Sequence, residues 1–117
     1  MIKILTYNLH GVDEPVSVRK RIKILADYCK ENSVNIICGQ EFAAGITALL
    51  FHFIWDAARV LAKDLEFDYL SSLTWEKYWL QYRTGVITTW KQDLGKGVEL
   101  SYNKGATLVC ANDIWIA

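Results

Sequence analysis

The feature that most restricts what this chain can fold into is a hydrophobic period that changes twice within its first 41 residues. From Ile2 to Leu9 the residues run apolar or alternate over strand length, and His10-Gly11 followed by Asp13-Glu14-Pro15 is a loop signal. Val18, Ile22, Leu25 and Cys29 then recur at spacings of four, three and four. This spacing stacks them on one face of a helix while Arg19, Lys23, Asp27 and Lys30 fall elsewhere. Asn32 and Ser33 end that helix. Val34 to Cys38 is a short apolar run rich in β-branched residues, the pattern of a strand covered on both faces, and it is expected to stop at Gly39-Gln40-Glu41. The result is a β-α-β unit. Its two strands must be parallel, with a right-handed crossover, so both strands end on the same edge of the sheet. Asn8 and Glu41 sit at those two ends.

The rest of the chain has a different texture. Phe42 to Trp55 contains no charged residue, yet it is too short for a membrane span, which needs about 20 apolar residues; His52 and Asp56 also interrupt it. With Ala57, Ala58, Val60, Leu61 and Leu65 continuing the pattern, one long helix is predicted from about Gly45 to Lys63, apolar on most sides. A helix of that kind must be covered all round, which implies a subunit interface or a further part of the protein. After Asp68 come short β-prone runs at Tyr69-Leu70, Trp79 to Tyr82, Gly85 to Trp90, Val98 to Tyr102, Ala106 to Cys110, and from Ile114 onward. They are separated by turn signals at Asp93-Leu94-Gly95-Lys96-Gly97 and Asn103-Lys104-Gly105. Antiparallel hairpins are expected there. Pro15 is the only proline and no repeat divides the sequence, so residues 1–117 are expected to form a single domain.

Composition narrows the partners rather than the fold. At 117 residues a chain buries roughly 60–70% of its unfolded surface, enough for one core. Thirteen basic and thirteen acidic residues give zero net charge, so no global field draws the protein onto nucleic acid or anionic lipid. Arg19, Lys20, Arg21 and Lys23 form a short basic run, which reads first as the solvated face of the helix. Cys29, Cys38 and Cys110 are odd in number, widely spaced and without a zinc-type pattern; buried reduced thiols are expected. The N-terminus lacks the long apolar stretch of a secretory signal, and a cytoplasmic location is the expectation.

An Asn closing one strand beside a Gln-Glu closing the next is chemically suited to a magnesium ion. Magnesium prefers oxygen ligands, takes one or two protein carboxylates, and keeps waters and substrate phosphate for its other positions. The ordinary structural alternative is that Glu41 is a helix-start acid and Asn8 a turn residue. Spacing alone favours that alternative.

The residues themselves carry a resemblance. Ile4-Leu5-Thr6-Tyr7-Asn8-Leu9-His10-Gly11, the helix opening Val18-Arg19-Lys20-Arg21-Ile22, and Asn35-Ile36-Ile37-Cys38-Gly39-Gln40-Glu41 together resemble the N-terminus of the endonuclease/exonuclease/phosphatase (DNase I-like) superfamily. More weakly, Trp55 with Ala57-Ala58 and Leu61-Ala62 looks like the second helix of that family. Tyr82-Arg83-Thr84-Gly85-Val86-Ile87-Thr88-Thr89 looks like its glycine-led strand, and Lys104-Gly105-Ala106-Thr107-Leu108-Val109 like a later one. The resemblance implies an α/β (α+β) fold: half of a four-layered α/β/β/α sandwich, with one mixed sheet and its helices packed on one face. It implies a phosphoesterase that uses Mg2+ or Mn2+, in which Asn8 helps hold the metal or the scissile phosphate and Glu41 ligates the metal. His10 and Arg83 become candidate substrate contacts. His52, and the aromatics Trp75, Tyr78, Trp79 and Tyr82, read as core or interface residues.

The same resemblance implies a further stretch carrying a Thr-His-Leu strand, a Gly-Asp-x-Asn loop and a Ser-Asp-His segment that supplies the base. None of these motifs occurs in the 117 residues. The expectation is therefore hydrolysis of phosphodiester or phosphomonoester bonds by a full-length form, with weak or no activity from this chain. The alternative expectation is a non-catalytic interaction module that dimerises, or pairs with a missing C-terminal half, through its exposed sheet face and apolar helix. A role at the membrane surface ranks below both, because the basic flanks of interfacial helices are absent.

Overall fold

The computed structural model describes residues 1–10, 17–52, 56–75, 81–89, 92–101, 104–111 and 113–116. Strand β1 (Ile4–Asn8), helix α1 (Val18–Glu31) and strand β2 (Ile36–Ala43) form the expected crossover unit. The two strands are parallel, in register from Ile4 opposite Ile36 to Asn8 opposite Gln40. Ser17 caps α1, its hydroxyl accepting from the Lys20 amide at 3.3 Å. Val18, Ile22, Leu25, Ala26 and Cys29 are its buried residues, the stripe that the spacing predicts with Ala26 added. At the other end the Asn32 amide donates to the Tyr28 carbonyl at 3.0 Å, and Ser33 adopts a left-handed φ of 53°, which turns the chain back toward β2.

The sheet has four strands in the order β1-β2-β4-β3, where β3 is Asp68–Trp75 and β4 is Gln81–Thr88. β4 runs antiparallel to both β2 and β3, so the sheet is mixed. The described residues of the runs Trp79 to Tyr82 and Gly85 to Trp90 therefore belong, up to Thr88, to one continuous strand rather than two.

Two helices follow β2 instead of one: α2 (Gly45–His52) and α3 (Ala57–Leu65). The predicted helix is interrupted at Asp56, whose backbone is extended (φ −161°, ψ 110°) and forms an isolated bridge with Ala44. Asp56 caps α3 instead, its carboxylate accepting from the Arg59 amide at 3.1 Å. A side chain that captures a helix-start N–H favours the non-helical cap conformation over helix continuation. Ala57, Ala58, Leu61, Ala62 and Leu65 are the buried face of α3, while Arg59, Lys63 and Asp64 are exposed, so this segment is amphipathic rather than apolar all round. No helix among the described residues is long and apolar enough to cross a membrane.

The strands after β4 form a separate sheet: β5 (Gln92–Ser101), β6 (Lys104–Ala111) and β7 (Ile114–Ile116), each antiparallel to the next. The expected turn at Asp93 to Gly97 is instead part of β5, where Leu94 to Gly97 pair with Cys110 to Thr107. Glycines that would mark a turn in isolation are here carried inside a long paired strand.

Strand alternation sends the main sheet's side chains into two cores. Ile37 and Ile87 face the helices and join Leu9, Phe42, Leu61 and the α1 stripe in the larger cluster. Their neighbours Ile36 and Val86 face the other way and pack with Ile116, flanked by Cys38 and Ile114. The second sheet thus lies against the sheet face opposite the helices, with β3 touching β5 and β6. It covers β2 and β4 but not β1, where Ile4 remains 61% exposed. Cys29 is buried, whereas Cys38 and Cys110 are only half-buried, and all three thiols are free.

Candidate site at the shared ends of β1, β2 and β4

Parallel pairing sets Asn8 directly opposite Gln40 and so puts Glu41 one residue beyond, as expected from the crossover. The surprise is that β2 does not end there. It continues to Ala43 through an irregularity between Gly39 and Phe42, at which the register against β4 shifts. Glu41 sits within this bulge with φ 52°, the left-handed region that side chains other than glycine enter at a cost. A bulge of this kind re-aims a side chain away from the alternation of its strand. The residues around it explain how it is held. Phe42 is buried in the helix-side core at 1% exposure, and its ring lies so close over Gly39 that a Cβ there would come within 2.6 Å of it. Gly39 gives the ring its seat, the ring fixes Phe42, and Glu41 is left between two anchored neighbours.

At the end of β1 the Leu9 amide extends the ladder by donating to the Gln40 carbonyl at 2.9 Å, and the Leu9 side chain is fully buried. The His10 amide donates to Asn8 Oδ1 at 2.7 Å, a turn closed by a side chain, and His10 has φ 62°. This bond fixes which atom of the Asn8 carboxamide is oxygen: the engaged atom must be an acceptor. Asn8 then keeps an Nδ2 group able to donate and a second Oδ1 lone pair able to accept. Gln40 is occupied as well, its Nε2 donating to the Cys38 carbonyl at 2.8 Å and to Thr6 Oγ1 at 3.2 Å.

Arg83 stands in β4 directly opposite Phe42, next to Glu41 in the adjoining strand. Asn8, Glu41 and Arg83 therefore occupy three neighbouring strands at one sheet edge, with His10 two residues past the first. Asn8 and His10 are exposed and Glu41 is half-buried. Tyr78 and Trp79 fall outside the described residues, as do the side-chain surroundings of His52, Trp75 and Tyr82. Among the described residues no group of three His, Cys, Asp or Glu side chains gathers into a preformed metal cluster. One carboxylate with a neighbouring carboxamide nonetheless fits the small protein contribution that magnesium takes.

One contributor was missed from the sequence. Arg21 is half-buried, and its Nη1 donates to the Leu9 carbonyl, joining α1 to the turn that carries Asn8 and His10. The other described members of the basic run, Arg19, Lys20 and Lys23, are exposed, and Lys23 pairs with Asp27 at 2.7 Å. A signal was present: Arg21 lies three residues after Val18 and four before Leu25, on the buried stripe.

Burial rather than charge governs both the Cys38 thiol, three residues before Glu41, and the Cys29 thiol near the far end of α1. Loss of water pushes the Cys38 and Cys29 thiols above their ordinary range, so they remain protonated and poor nucleophiles.

No protein-family profile and no curated protein sequence matches the chain. Among solved structures, it is similar to an endonuclease/exonuclease/phosphatase family protein from Leptotrichia buccalis C-1013-b. The two share 22% identity and superpose with a TM-score of 0.76 over 96% of this chain and 49% of that one. The chain has the fold of half of that structure and spans about half its length.

Proposed function

We propose that this chain is the metal-facing half of a phosphoester-hydrolysing fold of the endonuclease/exonuclease/phosphatase type, with Asn8 and Glu41 as its first site residues. The observation that carries this reading is the strained bulge at Glu41, set beside Asn8 at the parallel strand ends, in a chain whose fold matches half of a structure of that family. Strain held in place by the packed neighbours Gly39 and Phe42 is the mark of a side chain whose direction matters.

Glu41, with Asn8 as its neighbour, would hold Mg2+ or Mn2+; such an ion, when bound, polarises a phosphoryl oxygen and neutralises charge gathering on it. Asn8 Nδ2 is the donor that these residues offer to a phosphate oxygen, oriented by the His10 amide. Arg83 and His10 are the substrate contacts on either side. The Ser-Asp-His segment that the resemblance gives as the source of the base does not occur in the 117 residues, and lack of a general base typically costs 100- to 10,000-fold, on the order of 3–5 kcal/mol of barrier. Activity of this chain by itself is expected to be weak or nil.

Thermal melting with and without magnesium tests the site independently of turnover. At 10 mM Mg2+, an ion binding the folded state with a Kd of about 1 mM stabilises it by about 1.4 kcal/mol. Glu41→Gln should abolish that shift while leaving the metal-free melting temperature nearly unchanged. Equal magnesium shifts in both proteins would sink the assignment.

A second reading is favoured by β1, which forms one edge of its sheet with apolar residues showing on both faces. On the helix side, Leu5, Tyr7, Ile24, Leu25 and Tyr28 line an open apolar groove; on the other, Ile4 is exposed. We propose that this edge mediates pairing, with a second copy or with a complementary half of the fold, whether or not the site hydrolyses anything. Light scattering on the isolated chain tests the first form, for which a monomer at 100 μM would be the contrary result. Co-purification with the unmatched half of the Leptotrichia buccalis protein tests the second.

A further inference from the structure

The end of β1 would be a loose strand terminus if backbone pairing alone held it, because its last ladder bond is the Leu9 amide to Gln40. Three further features make it a defined turn. Leu9 is fully buried, His10 is left-handed with its amide tied to Asn8 Oδ1, and the Leu9 carbonyl accepts from Arg21 Nη1. The last of these ties this turn to a helix through a charged side chain. It is also out of character for its surroundings: three neighbouring cations on α1 are exposed, while Arg21 is half-buried and spends a guanidinium N–H on a backbone oxygen. Long helical side chains lean toward the helix N-terminus, so an arginine one turn into α1 is suited to reach back to the chain that enters the helix. A charge-assisted bond is roughly twice as strong as a neutral one, and arginine makes it with a rigid planar group.

We propose that Arg21 is a positioning residue for the candidate site: by holding the Leu9 carbonyl it keeps the Asn8–His10 turn in the one form that presents the Asn8 carboxamide. Its importance for ligand binding rests on the reading of Asn8 and Glu41 given above; its hold on the turn does not. Arg21 itself touches no ligand in this scheme. Removing it frees the Leu9 carbonyl, lets His10 leave the left-handed region, and releases Asn8 Oδ1, so the carboxamide rotates and the site loses its order. The effect is that of outer partners on metal ligands, where removal typically weakens metal affinity about 10- to 100-fold.

The test uses the full chain with Arg21→Met, Arg21→Lys and, as a control on the same helix, Lys23→Met. Two quantities are read: amide hydrogen exchange at His10, which reports the bond to Asn8 Oδ1, and affinity for Mn2+ by paramagnetic broadening near Glu41. Arg21→Met should speed His10 exchange at least tenfold and weaken Mn2+ binding about tenfold. Arg21→Lys should restore part of both, and Lys23→Met should change neither. A folded Arg21→Met with wild-type exchange at His10 overturns the proposal, and so does faster exchange with unchanged Mn2+ affinity. If Arg21→Met does not fold, exchange of the Arg21 guanidinium protons in the wild-type chain decides: protection relative to free arginine supports the contact, and free exchange overturns it. Should the wild-type chain bind no Mn2+, the metal reading fails, while His10 exchange still decides whether Arg21 holds the turn.

Discussion

At Glu41 a single backbone angle bears on the choice between a structural acid and the metal ligand proposed above. An acid at an ordinary strand end needs no left-handed φ, whereas Glu41 has φ 52° inside a bulge. In such a position a side chain costs about 1–2 kcal/mol that glycine does not incur. Glycine should therefore be the better residue for stability here, the reverse of its usual standing within a strand. Glu41→Gly is expected to be about 1 kcal/mol more stable than Glu41→Ala, a difference of a few degrees in melting temperature for a chain of this size. Both variants should lose the magnesium-induced shift. A Glu41→Ala protein that melts at or above Glu41→Gly would mean the bulge holds no strain, and the argument that this side chain is deliberately aimed would lose its support. Which strand ends carried the pair was legible in the sequence, because hydrophobic period alone sets Asn8 and Glu41 at parallel ends. The bulge was not: it depends on Phe42 seating itself over Gly39, a contact between residues three apart that no period encodes. Arg21 was hidden for the opposite reason, since its charge drew attention away from a position that the helical stripe already marked as inward.

At the scale of elements, local chemistry decided where the period was ambiguous. The uncharged stretch from Phe42 to Trp55, with the apolar pattern continued by Ala57 to Leu65, is compatible with one helix from about Gly45 to Lys63, and Asp56 divides it by capping the second half. The cap is buried at 8% exposure, and it accepts from the Arg59 amide while its backbone bridges Ala44. Asp56→Ala should cost about 1–2 kcal/mol, the upper part of the range for cap removal, because the freed amide is left with little water to bond. Asp56→Asn or Asp56→Ser, which retain an acceptor, should cost less than half of that. Chemical denaturation measures this directly, and an Asp56→Ala cost no larger than that of Asp56→Ser would assign the break to packing instead of capping. The hairpins after Asp68 are readable from their β-prone runs, but the first half of β5 is not. Asp93 to Gly97 has turn composition, and only pairing along β6 makes a strand of it. Strand propensity is largely a statement about neighbours, and the neighbours of β5 come later in the chain.

At the scale of the molecule, the main sheet is finished on one face and unfinished on the other. The helices cover one side; on the opposite side the second sheet reaches Ile36 on β2 and Val86 on β4, and stops before β1. Ile4 and Ile36 are register partners on adjoining strands, yet Ile36 is fully buried and Ile4 is 61% exposed. The same chemistry at two adjacent positions should therefore have very different effects. Ile36→Ala removes packed side-chain atoms from a closed core and should cost about 2–5 kcal/mol. Ile4→Ala removes a side chain already largely in water and should cost well under 1 kcal/mol in the isolated chain. That contrast reports whether anything covers β1 in solution. If a second copy lies along the edge, Ile4→Ala becomes more costly as protein concentration rises, with the logarithm of that concentration, because dimerisation adds its binding free energy to apparent stability. Measured at 1 μM and 100 μM, the Ile4→Ala penalty should be constant for a lone chain and should grow by a kcal/mol or more for a dimer built on β1. A constant small penalty would leave the edge uncovered by self-association and direct attention to the second form of pairing proposed above, with a complementary half of the fold.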